Sequence, residues 1–279
     1  MPTLNGRTYQ LNELHQLWAS IYHNRQTQLG ATATLVNFGD QPNAGFVNAT
    51  TFTGMMYSAT GLAPVWTPNV ALNARAVPFD LTLASNWQGI IPILDHNGTS
   101  ERMTTPDAAY WSRALTAASW GAWVRITGAT IDTIMAKFTT AGDLREWRFW
   151  ITSANKLQLI LSDENDAGTP NATLDTLQDG TIATSTWNHV VATYDGTANA
   201  SGIDLYVNGA LIASTDTDDV NFVSMRDTTS VVELGTNNAG DYFVGRMAGG
   251  PCGPFFVQAQ LTVAQILNMY RLERLALGV

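Results

Sequence analysis

The acidic residues of this chain do not form the pattern that a glycoside hydrolase requires. A retaining enzyme places two carboxylates on one strand, facing a cleft and about 5 to 5.5 Å apart. No two of the glutamates stand at alternate positions of one predicted strand, and no Gly-x-Ser-x-Gly elbow marks a serine nucleophile. Glu146 lies beside Arg145 and Arg148, a pattern typical of a surface ion pair. The sequence therefore predicts no catalytic residue and a protein that is not an enzyme.

Three aromatic residues have a spacing that suits carbohydrate binding. A sugar stacks its apolar face on an exposed ring, while its hydroxyl groups bond to nearby polar side chains. Trp123, Trp150 and Tyr194 fall out of phase with the main apolar faces of their strands, so they are the predicted ligand-binding residues. The alternative is that both faces are covered, one by the opposite sheet and the other by the N-terminal segment, which has apolar residues of its own to bury.

The histidines give little support for a metal site. His15 and His23 are eight residues apart, which is too far for two ligands of one ion on a helix. His189 lies in a predicted strand, where a structural role is favoured. His96 follows Asp95 near a predicted loop and can face a ligand there.

Composition excludes several classes of partner. The chain has 279 residues, a formal net charge of −9 and only two lysines, Lys137 and Lys156. It lacks the positive charge that holds proteins to nucleic acid or to an anionic membrane, so neither is an expected partner. Cys252 is the single cysteine, so no intrachain disulfide can form. No apolar stretch has the length of a membrane span, and we expect no secretory signal at the N-terminus.

From about Trp87 onward the sequence predicts strands. Apolar residues alternate with polar ones through segments such as 120–126, 147–151 and 157–161, with no predicted helix between them. Asn208-Gly209 separates two runs rich in β-branched and aromatic residues and favours a type I′ hairpin turn. This pattern predicts an all-β, two-sheet antiparallel sandwich.

A short helix is predicted at each end of the strand region. Near the C-terminus, Thr262 and Gln265 form a capping-box signature. Near the N-terminus, Leu14, Trp18 and Ile21 recur at helical spacing as an apolar stripe. This stripe either packs within the monomer, on the sandwich or on the following segment, or docks on a neighbouring subunit. In the second case the three residues mediate assembly into a homo-oligomer, for which a trimer is one option.

Residues 31 to about 86 contain short apolar runs punctuated by Gly, Pro and Asn. They predict short strands and extended loops rather than helix. Too many residues are apolar for a free linker, so the segment is expected to be buried. It forms either early strands of the sandwich or an arm packed against another copy.

The motifs of the strand region resemble one known family. They are Trp120-Gly-Ala-Trp-Val124, Trp187-Asn-His-Val-Val-Ala-Thr-Tyr-Asp-Gly196, Leu205-Tyr-Val-Asn-Gly209, Val231-Val-Glu-Leu-Gly235 and Tyr242-Phe-Val-Gly245. Together they resemble laminin-G-like domains, which are jellyrolls of the concanavalin A-like lectin and glucanase superfamily. The resemblance implies a jellyroll over residues 87–279, preceded by an N-terminal hairpin, helix and extended arm over residues 1–86. It specifies a fold rather than an activity.

The resemblance makes calcium the cofactor to consider, because many laminin-G-like domains hold it at the rim of the sandwich. Two clusters offer oxygen ligands, Asp163–Gly168 and Asp216–Asp219. The first has Ala167 and Leu174 where a calcium loop has ligands, and both clusters fit solvated hairpin turns. We therefore predict no cofactor and no metal ligand, with calcium as the alternative.

The predicted function is structural or adhesive, on the exterior of a virus particle such as a phage. Laminin-G-like domains usually act outside cells, yet this chain lacks disulfides and a predicted secretion signal. Phage proteins reconcile the two observations, because they fold in the host cytoplasm and act outside it. The composition, rich in Thr, Asn and Ala, resembles that of capsid decoration, fibre and tail proteins.

The expected location is the virion, and the expected partners are other virion proteins, copies of the chain and glycans. The alternative is a carbohydrate-binding lectin module of an exported protein.

Overall fold

Two antiparallel sheets that face each other contain most of the strands. The computed structural model describes residues 3–9, 13, 17, 20, 34–37, 52–53, 55–58, 71–72, 87–99, 102–105, 107, 109–163, 172–237, 240–249 and 252–279. The strands, in chain order, are β1 (Thr3–Leu4), β2 (Arg7–Thr8), β3 (Thr34–Asn37), β4 (Phe52–Thr53), β5 (Met55–Ser58), β6 (Ala71–Leu72), β7 (Trp87–Gln88), β8 (Ile91–Asn97), β9 (Met103–Thr105), β10 (Ala118–Ile126), β11 (Asp132–Thr139), β12 (Leu144–Ile151), β13 (Leu157–Asp163), β14 (Ala172–Gln178), β15 (Asn188–Tyr194), β16 (Ile203–Val207), β17 (Ala210–Leu211), β18 (Ser214–Asp218), β19 (Val232–Leu234), β20 (Val244–Ala248) and β21 (Phe255–Val257). A 3-10 turn spans Ala200–Gly202, and helix α1 spans Val263–Leu277.

Sheet I has the strand order β17-β16-β15-β10-β20-β8-β7. Its long strand β10 pairs with β15 along one edge, whereas β20 and β21 share the other edge. Sheet I continues from β21 to β3 and then to β5, so two strands of the predicted N-terminal arm extend it. Sheet II has the order β18-β14-β13-β12-β11-β19-β9. These two sheets confirm the predicted antiparallel sandwich.

Large apolar side chains from both sheets fill the space between them. Alternate residues of β10, β12 and β13 point inward, as the sequence pattern predicts. The ring of Trp147 from sheet II stacks on Phe256 from sheet I, with the two centroids 5.7 Å apart. Trp120 packs against both rings. The aromatic contacts therefore join the two sheets at the centre of the core.

The Asn208-Gly209 hairpin forms as predicted. Both residues have positive φ, 52° and 80°, which a type I′ turn requires. Tyr206 pairs with Leu211 and Val207 with Ala210 on the two sides of the turn. The turn therefore fixes the register between β16 and β17.

Helix α1 covers the outer face of sheet I. The predicted capping box begins the helix, because Thr262 accepts from the backbone of Gln265 while the Gln265 side chain accepts from the backbone of Thr262. Gly278 ends it in the left-handed conformation. The side chains buried between sheet and helix are Trp123, Val191, Tyr206, Phe255, Ile266, Met269, Ala276 and Leu277. We call this surface of sheet I the helix-covered face. No helix in the described parts of the chain is long and apolar enough to cross a membrane.

The described N-terminal residues lie against the same surface. Strands β1 and β2 form a small hairpin, and Glu13, Leu17 and Ser20 are helical. Leu4, Tyr9 and Leu17 are partly buried against the cluster that contains Trp123 and Leu277. The predicted assembly residues Leu14, Trp18 and Ile21 lie outside the described residues. Their role and the domain boundary near residue 86 remain predictions.

Candidate functional site

The outer surface of sheet II has a different character from that of sheet I. Trp147, Phe149 and Ile151 of β12 belong to the core, so Arg148 and Trp150 between them point outward. Thr133 on β11 and Gln158 on β13 are the cross-strand partners of Trp150. Asp175 on β14 pairs with Ile160, and that residue pairs with Arg148. We define the polar face as Thr133, Arg148, Trp150, Gln158 and Asp175, together with Asp241 from the loop before β20.

Arg148 is fixed by three neighbours on the polar face. Its guanidinium donates to the Thr133 hydroxyl at 2.7 and 3.2 Å and to the Asp241 carboxylate at 2.8 Å. It also lies over the ring of Trp150, 3.9 Å from the ring centroid, as a cation–π contact. Burial lowers the pKa of Arg148, and the charge of Asp241 opposes that shift. The guanidinium therefore has a fixed orientation against one face of the indole.

Gln158 and Asp175 form the second fixed pair of the polar face. Gln158 Nε2 donates to both carboxylate oxygens of Asp175, at 2.6 and 2.7 Å. Burial raises the pKa of Asp175, and the hydrogen bonds from Gln158 oppose the rise. Asp175 stays partly exposed, which leaves it accessible to a ligand hydroxyl.

Trp150 links the two pairs and is the one predicted sugar-stacking residue that stays partly exposed. Its indole Nε1 is buried and has no hydrogen-bond acceptor among the described residues. A buried N–H without an acceptor costs free energy, so the indole is held here by its ring contacts rather than by a hydrogen bond. The partly exposed ring of Trp150 and the partly exposed carboxylate of Asp175 thus lie beside the buried side chains of Arg148 and Gln158.

The other two predicted ligand-binding aromatics are buried. Trp123 is 1% exposed on the helix-covered face, where its Nε1 donates to Glu273 of α1 at 2.8 Å. Tyr194 is 0% exposed in the core between the sheets, and its hydroxyl donates to the carbonyl of Thr197. Neither ring can stack on a sugar in this conformation. The alternative of covered faces thus holds for these two residues, and for Trp123 the cover includes the C-terminal helix.

His96 and His189, the two histidines within the described residues, are both buried. His96 is buried beside Phe243, with ring centroids 5.4 Å apart, while its neighbour Asp95 pairs with Arg246 at 2.8 Å. His189 packs against the rings of Trp123 and Tyr270, which also stack on each other. Their positions favour structural roles over ligand contacts.

The carboxylates that were considered for calcium accept hydrogen bonds from the protein. Asp163 accepts from the backbone of Val223 and Ser224, and Asp218 accepts from the backbone of Ala200. The described residues contain no group of three or more acidic, histidine or cysteine side chains placed to hold a metal ion. Residues 164–171 of the first cluster lie outside the described residues.

Sequence reasoning found part of the polar face. The alternation along β12 identified Trp150 as an outward aromatic, and Arg148 and Gln158 fell on the same side of the pattern. It missed Asp175 and Asp241. Asp175 stands between the inward residues of β14, but only the pairing of β13 with β14 brings it to Gln158. Asp241 comes from a loop whose path the sequence pattern does not encode.

Comparisons with known proteins agree with this fold. The family model described as the concanavalin A-like lectin/glucanases superfamily matches residues 97–249, more than half of the chain. The botulinum neurotoxin serotype D binding domain is 15% identical, with a TM-score of 0.51 over 91% of this chain and 52% of that chain. The Ruminococcus gnavus IT-sialidase CBM40, bound to alpha2,3 sialyllactose, is 22% identical, with a TM-score of 0.42 over 63% of this chain and 96% of that chain. This chain spans about half of the length of the neurotoxin binding domain. No curated protein matches the sequence.

Proposed function

This chain belongs to the concanavalin A-like lectin/glucanases superfamily, and from that premise we propose that it is a non-enzymatic binding module whose polar face holds a carbohydrate. The observation that carries the proposal is that Trp150 and Asp175 are partly exposed on one outward face, where the buried side chains of Arg148 and Gln158 hold them. A ring with planar polar groups beside it matches the mixed apolar and hydroxyl surface of a sugar. The carboxylates already pair with other side chains of the protein, which favours binding of a sugar over its hydrolysis.

Each carboxylate of the polar face is already held by a neighbouring side chain, Asp175 by Gln158 and Asp241 by Arg148. The glutamates are similarly engaged in the described parts of the chain. Glu146, Glu233 and Glu273 pair with Lys137, Arg102 and Trp123 and are buried, out of reach of a glycan. Glu146 is therefore not the surface ion pair that its arginine neighbours suggested. A glycosidase needs one carboxyl group free to donate a proton and another free to attack or to activate water. This pattern supports a binding module of the lectin type.

The test is a glycan-array and titration experiment with the full chain and the Trp150→Ala variant. We expect the wild type to bind at least one glycan class and Trp150→Ala to bind it at least about tenfold more weakly, a loss of about 1.4 kcal/mol. Leu211→Ala, at an exposed residue of sheet I, is the matched control and should bind like the wild type. A bound glycan should be recovered uncleaved. Equal binding by wild type and Trp150→Ala, or release of reducing ends from the glycan, contradicts the proposal.

The setting we propose for this module is the exterior of a virus particle, where glycan binding serves adhesion. The support comes from the sequence: one cysteine, two lysines and a composition rich in Thr, Asn and Ala. The predicted stripe Leu14, Trp18 and Ile21 supplies the assembly contact. Replacing these three residues by serine should leave the sandwich folded and abolish self-association or particle binding. A wild-type chain that is monomeric in light scattering and does not bind particles would overturn the setting but leave glycan binding intact.

A further inference from the structure

Lys137 lies in an unusual environment at one end of the sandwich. It is 0% exposed on β11, beside its cross-strand partner Trp147. Its Nζ contacts the carboxylate of Glu146, the carbonyl of Thr228 at 2.5 Å and the carboxylate of Asp107 at 3.1 Å. A buried ammonium is costly unless such partners surround it. One buried amine is therefore in contact with two carboxylates.

The two carboxylates differ in how they are held. Glu146 is 0% exposed and also accepts from the Ser112 hydroxyl and from the backbone and hydroxyl of Thr228. Asp107, whose side chain is 31% exposed, precedes the buried Trp111 in the chain and contacts Lys137. Glu146 is thus a fixed group beside the amine, whereas the carboxyl of Asp107 is open to water.

We propose that Lys137 and Asp107 form an intramolecular isopeptide bond in the mature protein, with Glu146 as the residue that moves the protons. One proton passes from the Lys137 ammonium through Glu146 to the Asp107 carboxylate, and the neutral Nζ attacks the carbon of the neutral carboxyl group. An N–C bond forms, one C–O bond of Asp107 breaks, and Glu146 delivers protons to the departing oxygen. The ammonium supplies both protons of the water that leaves. The condensation requires no oxidant, reductant or activating group.

Several features of the site favour this reaction. Burial raises the pKa of Glu146, against the opposing charge of Lys137, so Glu146 accepts a proton more readily than an exposed glutamate does. The fold holds amine and carboxyl within hydrogen-bond distance, which removes the entropic cost of bringing them together. The product joins the segment before Trp111 to β11, in a chain whose single cysteine excludes a disulfide.

The lysine content of the chain gives a direct test. An endoprotease that cleaves after lysine releases fragments 1–137, 138–156 and 157–279 from an unmodified chain, because Lys137 and Lys156 are the only lysines. An amide bond on the Lys137 side chain prevents cleavage after Lys137. We therefore expect one fragment, 1–156, in place of fragments 1–137 and 138–156. The intact mass of the denatured full chain should be lower than the sequence mass by one water. Tandem mass spectrometry should place the bond between Asp107 and Lys137.

Two variants complete the experiment. Asp107→Ala keeps the buried Lys137–Glu146 pair and should show the full sequence mass and cleavage after Lys137. Glu146→Gln should lose the bond or form it much more slowly. If Glu146→Gln does not fold, Asp107→Ala and the wild type still decide the question. An intact wild-type mass equal to the sequence mass overturns the proposal, as does a water loss that maps to Asp179-Gly180 or Asp195-Gly196, where a succinimide gives the same mass.

Discussion

The outer faces of the two sheets show how one pattern of alternating residues leads to two different surfaces. On sheet I the outward tryptophan, Trp123, is buried under α1 and donates to Glu273. On sheet II the outward tryptophan, Trp150, remains partly exposed beside Arg148. Apolar partners on α1 make the first face a second core, whereas on the second face Trp150, Asp175 and Asp241 stay partly exposed. The identity of the outward residue alone does not decide its role.

Replacing the buried tryptophan should have the largest effect. Trp123→Ala removes a large ring from the helix-covered face and the donor to the buried Glu273 carboxylate. We expect a loss of about 3–5 kcal/mol in the free energy of unfolding, measured by chemical denaturation. A loss below about 1 kcal/mol would mean that α1 does not pack firmly on sheet I.

Asp132 of sheet II contacts Val244 of sheet I, away from both outer faces, and its protonation tests this contact between the sheets. Its buried carboxylate accepts from the backbone of Val244 at 2.7 Å and from Thr130 at 3.0 Å, and burial raises its pKa to about 6. A raised carboxyl pKa favours folding at low pH, and this contribution is lost as pH rises from about 4 to about 6. Asp132→Asn should therefore be more stable at pH 7 by up to about 3 kcal/mol. Its unfolding free energy, relative to that of the wild type, should increase with pH in this interval. A constant difference across the interval contradicts the assignment.

The hairpin at Asn208-Gly209 tests how closely α1 approaches sheet I. A β-carbon at Gly209 lies 3.0 Å from Leu267 and 3.1 Å from Tyr270, and φ is +80°. Gly209→Val should cost about 1–3 kcal/mol in thermal or chemical unfolding. Gly6→Val is the matched control, because Gly6 has a similar φ of +77° but nothing within 4 Å of its β-carbon. Equal costs at the two positions would show that backbone strain alone, without the helix contact, explains the loss.

The exposed tryptophan should have the smallest effect on stability. Trp150→Ala removes the cation–π contact with Arg148, for which we expect a loss of about 1 kcal/mol in unfolding free energy. The same substitution should abolish most glycan binding. A large loss of stability would place Trp150 with Trp123 as a core residue and end the contrast between the faces. Circular dichroism of the variant separates a folding defect from a binding defect.

Much of the architecture could be predicted from local patterns. The alternation in β10, β12 and β13, the Asn208-Gly209 turn and the Thr262–Gln265 capping box depend on residues close in the chain, and all formed as predicted. The resemblance to laminin-G-like domains also predicted the superfamily. The family match over residues 97–249 supports that prediction. Of the three aromatics predicted from strand phase, only Trp150 stays partly exposed.

The sequence by itself determined the strands, the turn, the helix cap and the absence of an intrachain disulfide, because each follows from neighbouring residues or from composition. Only the tertiary structure decided which outward faces are covered. The docking of α1 buried Trp123, and the registers of β11 to β14 gathered Arg148, Trp150, Gln158 and Asp175. Likewise, only the fold brings Asp107 to Lys137. These contacts join residues far apart in the chain, and a one-residue change of register would turn each outward side chain to the opposite face.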